Sequence, residues 1–68
     1  MNNIWDLVVI GKSYMFDMEY VNKHSRRTEM IEGTVKDKLI EADGRCYIVL
    51  NNNSAVHLEQ VARLIGPF

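Results

Sequence analysis

The sequence is poor in the residues that usually support chemistry or covalent cross-linking. It has one cysteine, Cys46, so no disulfide can form within the chain, and we expect a reducing, cytoplasmic compartment. The two histidines, His24 and His57, lie far apart, and neither has a second ligand at metal-binding spacing. Glycine-rich phosphate loops and nucleophile elbows are also lacking. We therefore expect no cofactor, no metal and no enzymatic activity.

Long apolar runs and an excess of charge of one sign are lacking too. The largely apolar stretch 4–10 is interrupted by Asp6 and is too short to cross a bilayer, so no membrane partner is expected. Eight basic residues stand against nine acidic ones, which gives a net charge of −1. This balance removes the global attraction to phosphate that is typical of nucleic-acid-binding modules. Only a local basic surface remains compatible with it.

The composition is that of one small folded domain. Hydrophobic residues make up 47% of the chain and charged residues 25%, which is ordinary for a globular protein and too apolar for a disordered one. A chain of 68 residues has room for one modest core. Since no repeat or linker interrupts it, we expect a single domain over 1–68.

Alternation of polar and apolar residues predicts several strands. Over 14–20 every second residue is large and apolar, a period of two that is typical of a half-buried strand. A second alternation covers 31–36 and contains Gly33, where a bend or a close approach of backbone is expected. The dipeptide Asp-Gly at 43–44 predicts a hairpin turn. The segment 45–50 follows it and is β-branched and aromatic enough for another strand.

Three further segments are less regular. No large apolar residue lies between Val21 and Met30, which predicts an exposed loop between two strands. The segment 55–65 fits a strand followed by a helical turn over 58–61 and a last short strand, which we favour, or else one continuous helix. The apolar stretch 4–10 shows no period and fits either a first strand or a short helix capped by Gly11.

The order of these elements carries a resemblance to a known fold. Five short strands, a long polar loop after the first long one, a glycine inside "IEGTV", a hairpin and a turn before "VARLI" resemble an SH3-like barrel and its relative, the Sm-like barrel. The match to Sm-like bacterial RNA chaperones consists of Ile31, Gly33, Val35, Ile48, Val49, Leu50, Asn51, Val61, Leu64, Ile65 and Pro67. It implies an all-β fold, a small five-stranded barrel with a short helical turn before the last strand. Their basic uridine-binding segment corresponds to Leu58 and Glu59, so uridine binding is not implied.

Two surfaces are candidates for binding. Both ends of the sequence are more apolar than a small barrel easily buries, which predicts a protein interface at Ile4, Trp5, Val8 and Phe68. The other apolar residues of these segments are Leu7, Val9, Ile10, Leu64, Ile65 and Pro67. The second surface is a basic loop over 23–27 that would hold a nucleic-acid backbone or an acidic partner. Its candidate residues are Lys23, His24, Arg26 and Arg27.

Other polar residues have simpler interpretations. Alternation places Cys46 on the same side of its strand as Ile48 and Leu50, which predicts core packing. The carboxylates of Asp17 and Glu19 share one face of a strand, which is typical of the solvated side of an antiparallel sheet.

These features favour a non-catalytic protein-binding module, an adaptor or inhibitor, with a protein partner and also with the capacity to form a homo-oligomer. Free-standing domains of this kind are common among phage and prophage accessory proteins that act on host proteins. The alternative is an RNA- or DNA-binding module that uses the loop 23–27. A third hypothesis is an enzyme fragment or a small-ligand sensor whose pocket forms only between subunits.

Overall fold

The alternation of apolar and polar residues in the first half of the chain forms the strand β1 (Ser13–Val21). The computed structural model describes residues 4–68. The side chains of Tyr14, Phe16 and Met18 are buried on one face of β1. The intervening residues lie on the opposite face, as expected of a half-buried strand.

Within residues 4–68 the structure has four further strands, one helical turn and one 3-10 turn, and the fold is mainly β as predicted. These are α1 (Ile4–Leu7), β2 (Arg26–Ile40), β3 (Cys46–Leu50), β4 (Ala55–His57), the 3-10 turn Leu58–Gln60 and β5 (Val61–Ile65). The strands form one antiparallel sheet in the order β4-β3-β2-β1-β5. The prediction of a short helical turn before the last strand is confirmed, and the alternative of one helix over 55–65 is wrong. In the segment 4–10 the helical alternative holds only for the single turn α1, which ends at Leu7 and is therefore not capped by Gly11.

The long strand β2 joins the two halves of the sheet. Its first part pairs with β1, from Arg26 opposite Val21 to Thr34 opposite Ser13. Its second part pairs with β3, and a register shift follows Val35. Because one strand serves both halves, the sheet curves around a shared core and is compatible with a small barrel.

The residues between Val21 and Met30 are exposed as predicted, but the prediction that they form a loop is wrong, because β2 begins at Arg26. The chain reverses within Asn22–Ser25, where the Asn22 side-chain oxygen accepts hydrogen bonds from the backbone amides of His24, at 2.9 Å, and Ser25, at 2.8 Å. The Asn22 amide donates to the Ser25 carbonyl at 3.0 Å. Such an Asx turn closes a hairpin without a long loop. The basic loop 23–27 is therefore a tight turn followed by the start of β2.

The buried residues form a single cluster beneath the sheet. Its members are Ile4, Val8, Tyr14, Phe16, Met18, Val35, Ile48, Leu50, Val56 and Val61. Gly33 confirms the predicted close approach, because a Cβ atom there would lie 3.0 Å from Cδ1 of Leu50. Residues 4–68 include no helix that is long and apolar enough to cross a membrane. The predicted domain covers 1–68, and its first three residues lie outside the described part.

Candidate functional site

The N-terminal segment divides its apolar side chains between the core and the surface. Ile4 and Val8 are 5% and 1% exposed, and the Val8 amide donates to the Ile4 carbonyl at 3.0 Å. These two residues were predicted to lie in an interface, but they belong to the core and are not available on the surface of this chain. Leu7, Val9 and Ile10 point outward instead, with exposures of 62%, 52% and 55%.

Hydrogen bonds to the sheet hold the outward-facing residues in place. The Val9 amide donates to the Tyr14 hydroxyl at 2.9 Å, and that hydroxyl lies 3.4 Å from the Leu7 carbonyl, to which it donates. The Gly11 amide donates to the Val35 carbonyl at 2.9 Å. The segment is thus fixed against the start of β1 and the middle of β2.

The C-terminal residues run to the same end of the molecule. The Phe68 amide donates to the Ser13 carbonyl at 2.9 Å, and the Phe68 side chain is 69% exposed. Ser13 directly follows the turn in which the Lys12 amide donates to the Val9 carbonyl. We call the four exposed side chains Leu7, Val9, Ile10 and Phe68 the apolar end.

Trp5 is half-buried and lies beside β2. The Lys38 ammonium donates to the Trp5 carbonyl at 2.6 Å and lies 5.4 Å from the centre of the indole ring, a cation–π contact. Trp5 also lines an open cleft of about 390 Å³ together with Cys46, Leu58 and Glu59 and the turn 43–45. This predicted interface residue is therefore partly engaged by its own chain.

Cys46 does not pack fully in the core, contrary to the prediction. It is half-buried at the first position of β3, and its Sγ lies 3.7 Å from the Gly44 carbonyl. The prediction from alternation is confirmed for Ile48 and Leu50, which are fully buried. At Cys46 the sheet ends in the hairpin turn, so no layer covers the thiol completely.

The basic residues lie on a projecting hairpin that we call the arm, residues 19–30. All side chains over 21–30 are exposed. Lys23 and His24 occupy the turn, whereas Arg26 and Arg27 are the first two residues of β2. Since adjacent strand residues point to opposite faces, the two arginines lie on different faces of the arm. The predicted basic cluster is thus divided.

Each arginine of the arm has a partner on β1. Nη2 of Arg26 lies 2.6 Å from Oε2 of Glu19. The Arg27 guanidinium lies 5.0 Å from the centre of the Tyr20 ring, and the Tyr20 hydroxyl donates to Oε1 of Glu29 at 3.3 Å. Partial burial, together with this neighbouring carboxylate, raises the pKa of Tyr20 above its ordinary value. The phenol therefore stays protonated and available as a donor.

The remaining polar candidates are surface residues. Asp17 and Glu19 face outward, as predicted, and Oδ2 of Asp17 lies 3.9 Å from Nε of Arg63. His57 is exposed and stacks against Tyr47, with 5.4 Å between ring centres. No group of three or more His, Cys, Asp or Glu side chains within 4–68 is placed to hold a metal ion.

Comparison with known proteins found no matching family model, no similar curated protein and no similar solved structure. What these surfaces do must therefore be inferred from their own chemistry. Sequence reasoning missed two large exposed apolar residues of the arm, Val21 and Met30. Both flank the segment that was interpreted as a loop, where no alternation marked them as strand residues.

Proposed function

We propose that this protein is a non-catalytic protein-binding module and that its binding surface is the apolar end. The observation that carries the proposal is that four large apolar side chains at one end of the fold are each more than half exposed. A concentration of exposed apolar residues in a small protein is typical of an interaction surface. Its partner would be a protein that offers a complementary apolar patch.

The way in which the apolar end is built supports this role. The Tyr14 hydroxyl and the Val35 carbonyl hold the segment 7–11 through hydrogen bonds to its backbone, and Ile4 and Val8 anchor it in the core. A surface that is fixed before binding loses little conformational freedom on association. The same anchors keep Leu7, Val9 and Ile10 pointing outward.

The proposal includes an SH3-like barrel architecture in a reducing, cytoplasmic compartment. The strand order β4-β3-β2-β1-β5, with a 3-10 turn between β4 and β5, supports the architecture. The single free cysteine supports the compartment. The tight turn after β1 departs from the long loop that the resemblance implied.

Two matched variants test the apolar end. A partner is first isolated by pull-down with the wild-type chain and then purified, so that its affinity can be measured by titration calorimetry. Ile10→Asp places a charge in the apolar end and should weaken binding at least about tenfold. Ile40→Asp is the control, because Ile40 is a comparably exposed isoleucine, at 63%, on the far end of β2. Equal affinities for the two variants would contradict the proposal.

The arm favours a second candidate function, the binding of RNA or DNA. It is a two-stranded ribbon with Lys23, Arg26 and Arg27 near its tip, and the major groove of DNA admits such a ribbon. In that case nuclease treatment should abolish the pull-down, and the double change Arg26→Ala and Arg27→Ala should weaken binding and flatten its salt dependence. Partners that survive nuclease and bind the double variant normally would favour the apolar end.

A further inference from the structure

Among the strands of residues 4–68, part of β2 has a neighbour on one side only. Residues 26–34 of β2 pair with β1, whereas pairing with β3 begins at Val35. At Thr34, the residue before Val35, the carbonyl accepts a hydrogen bond of 2.9 Å from the Asn51 amide on the β3 side. No described strand runs along the other side of residues 26–32. This seven-residue segment is an open edge.

The hydrogen-bond pattern shows which backbone groups of the open edge are free to pair. The bond from the Asn22 amide to the Ser25 carbonyl makes that facing pair hydrogen-bonded, so bonded pairs recur at every second position, including Tyr20 opposite Arg27. The alternate residues of β2 then direct their amides and carbonyls away from β1. The Thr34 carbonyl, which bonds Asn51 on that side, follows this series. The outward-directed residues of the open edge are Arg26, Thr28, Met30 and Glu32.

We propose that the partner of the open edge is a second copy of this chain, with the two β2 strands pairing antiparallel about a two-fold axis at Thr28. An antiparallel pair about a two-fold axis brings the same edge of both chains together. The edge contains neither proline nor lysine, which commonly protect exposed strands from pairing. With the axis at Thr28, the free groups of 26–30 face one another across the axis.

Charge complementarity selects this register. An axis at Thr28 sets Arg27 opposite the partner's Glu29 on both sides of the axis, and Thr28 opposite the partner's Thr28. Opposite charges and paired threonines both stabilise cross-strand contacts. Moving the axis to Arg27 would set two arginines face to face, and moving it to Glu29 would do the same to two glutamates. The register at Thr28 therefore has two attractive pairs and no repulsive one.

The side chains around the axis suit the pairing. Arg27 and Glu29 already share a face with Tyr20, which contacts both of them. Met30, which is half exposed, would lie opposite the partner's Arg26, whose aliphatic stem can cover it. Two arms would thereby become one four-stranded ribbon.

Charge reversal with mixing tests the register. Sedimentation velocity of the wild-type chain should show a mass that rises towards that of two chains as concentration increases. Arg27→Glu and Glu29→Arg each set like charges opposite one another, so each should weaken self-association about tenfold. When the two variants are mixed in equal amounts, opposite charges meet at both 27–29 pairs of a mixed dimer. Native mass spectrometry should therefore detect a heterodimer. A wild-type chain that stays monomeric, or a mixture that forms no heterodimer, would overturn the proposal.

Thr28→Pro tests the edge separately from its charges. The Thr28 amide points away from β1, so proline removes a donor that the folded monomer does not use. Circular dichroism should stay native while the dimer is lost. Arg45→Glu is the charge-reversal control, because Arg45 lies in the turn beyond β2 and should leave the dimer intact. A dimer that persists in Thr28→Pro, or that only Ile10→Asp disrupts, would place the contact elsewhere and refute the open edge.

Discussion

Gly33 shows how much the packing of this small core depends on one position. The residue lies in β2 next to Leu50, whose side chain has no exposed surface. A Cβ atom at Gly33 would lie 3.0 Å from Cδ1 and 3.4 Å from Cβ of Leu50, closer than side chains usually pack. Because neighbouring core residues confine Leu50, it has little room to withdraw.

Gly33→Val should therefore destabilise the protein. We expect the free energy of unfolding, measured by urea denaturation, to fall by about 1–3 kcal/mol, since overpacking forces neighbouring side chains out of their rotamers. The cost should be smaller in a Leu50→Ala background, where the contact is relieved. Glu32→Val is the control, because Glu32 is exposed on the same strand. Equal losses of unfolding free energy in Gly33→Val and Glu32→Val would show that Leu50 does not restrict the side chain at position 33.

The sequence predicts some of these residue-level roles and not others. Gly33 stood out because it occupies an inward position in an alternating strand. Ile4 and Val8 could not be separated from Leu7 and Ile10, since the apolar residues of 4–10 follow one another too closely to show a period. Their separation depends on tertiary hydrogen bonds, above all those of Tyr14, which set the path of the segment.

At the level of elements, the arm explains the main error of the sequence-based prediction. Alternation appears only where one face of a strand is buried, and both faces of the arm are exposed over 26–30. The strand is recognisable only through its turn, where Asn22 accepts bonds from two successive amides and from the Ser25 hydroxyl, at 3.2 Å. An asparagine whose side-chain oxygen can reach the amides two and three residues later in the chain is the local signal of an Asx turn.

Asn22→Ala should loosen the arm without unfolding the sheet. The side-chain oxygen that accepts three hydrogen bonds is lost, and we expect amide hydrogen exchange at Arg27 to accelerate at least about fivefold, which corresponds to the usual net contribution of one such bond. Exchange at Phe16, in the core part of β1, should not change. Asn22→Asp retains an acceptor at the same position and should behave like the wild type. Uniform acceleration across β1 would mean that the arm and the core open together.

At the scale of the whole molecule, the N-terminal segment and the sheet share one core, so they should unfold together. Trp5 is the only tryptophan, and its fluorescence reports on the segment, whereas far-ultraviolet circular dichroism reports on the strands. We expect the two transitions to coincide in urea. Val8→Ala should lower the free energy of unfolding by about 2 kcal/mol with either probe, because Val8 is 1% exposed in the common core. A fluorescence transition at a lower urea concentration than the circular dichroism transition would show that the segment detaches on its own.

The placement of β5 beside β1 has a consequence for synthesis on the ribosome. Three of the four strand pairings join neighbours in the sequence, but Asp17 pairs with Arg63. The hairpins can form as the chain emerges, whereas one edge of β1 has no partner until residues 61–65 have been made. A nascent chain therefore exposes one backbone edge of β1 until β5 has been made, and strands left open in this way are prone to aggregate. Translation speed consequently sets how long this edge of β1 stays open, and nascent-chain chaperones can cover it during that interval.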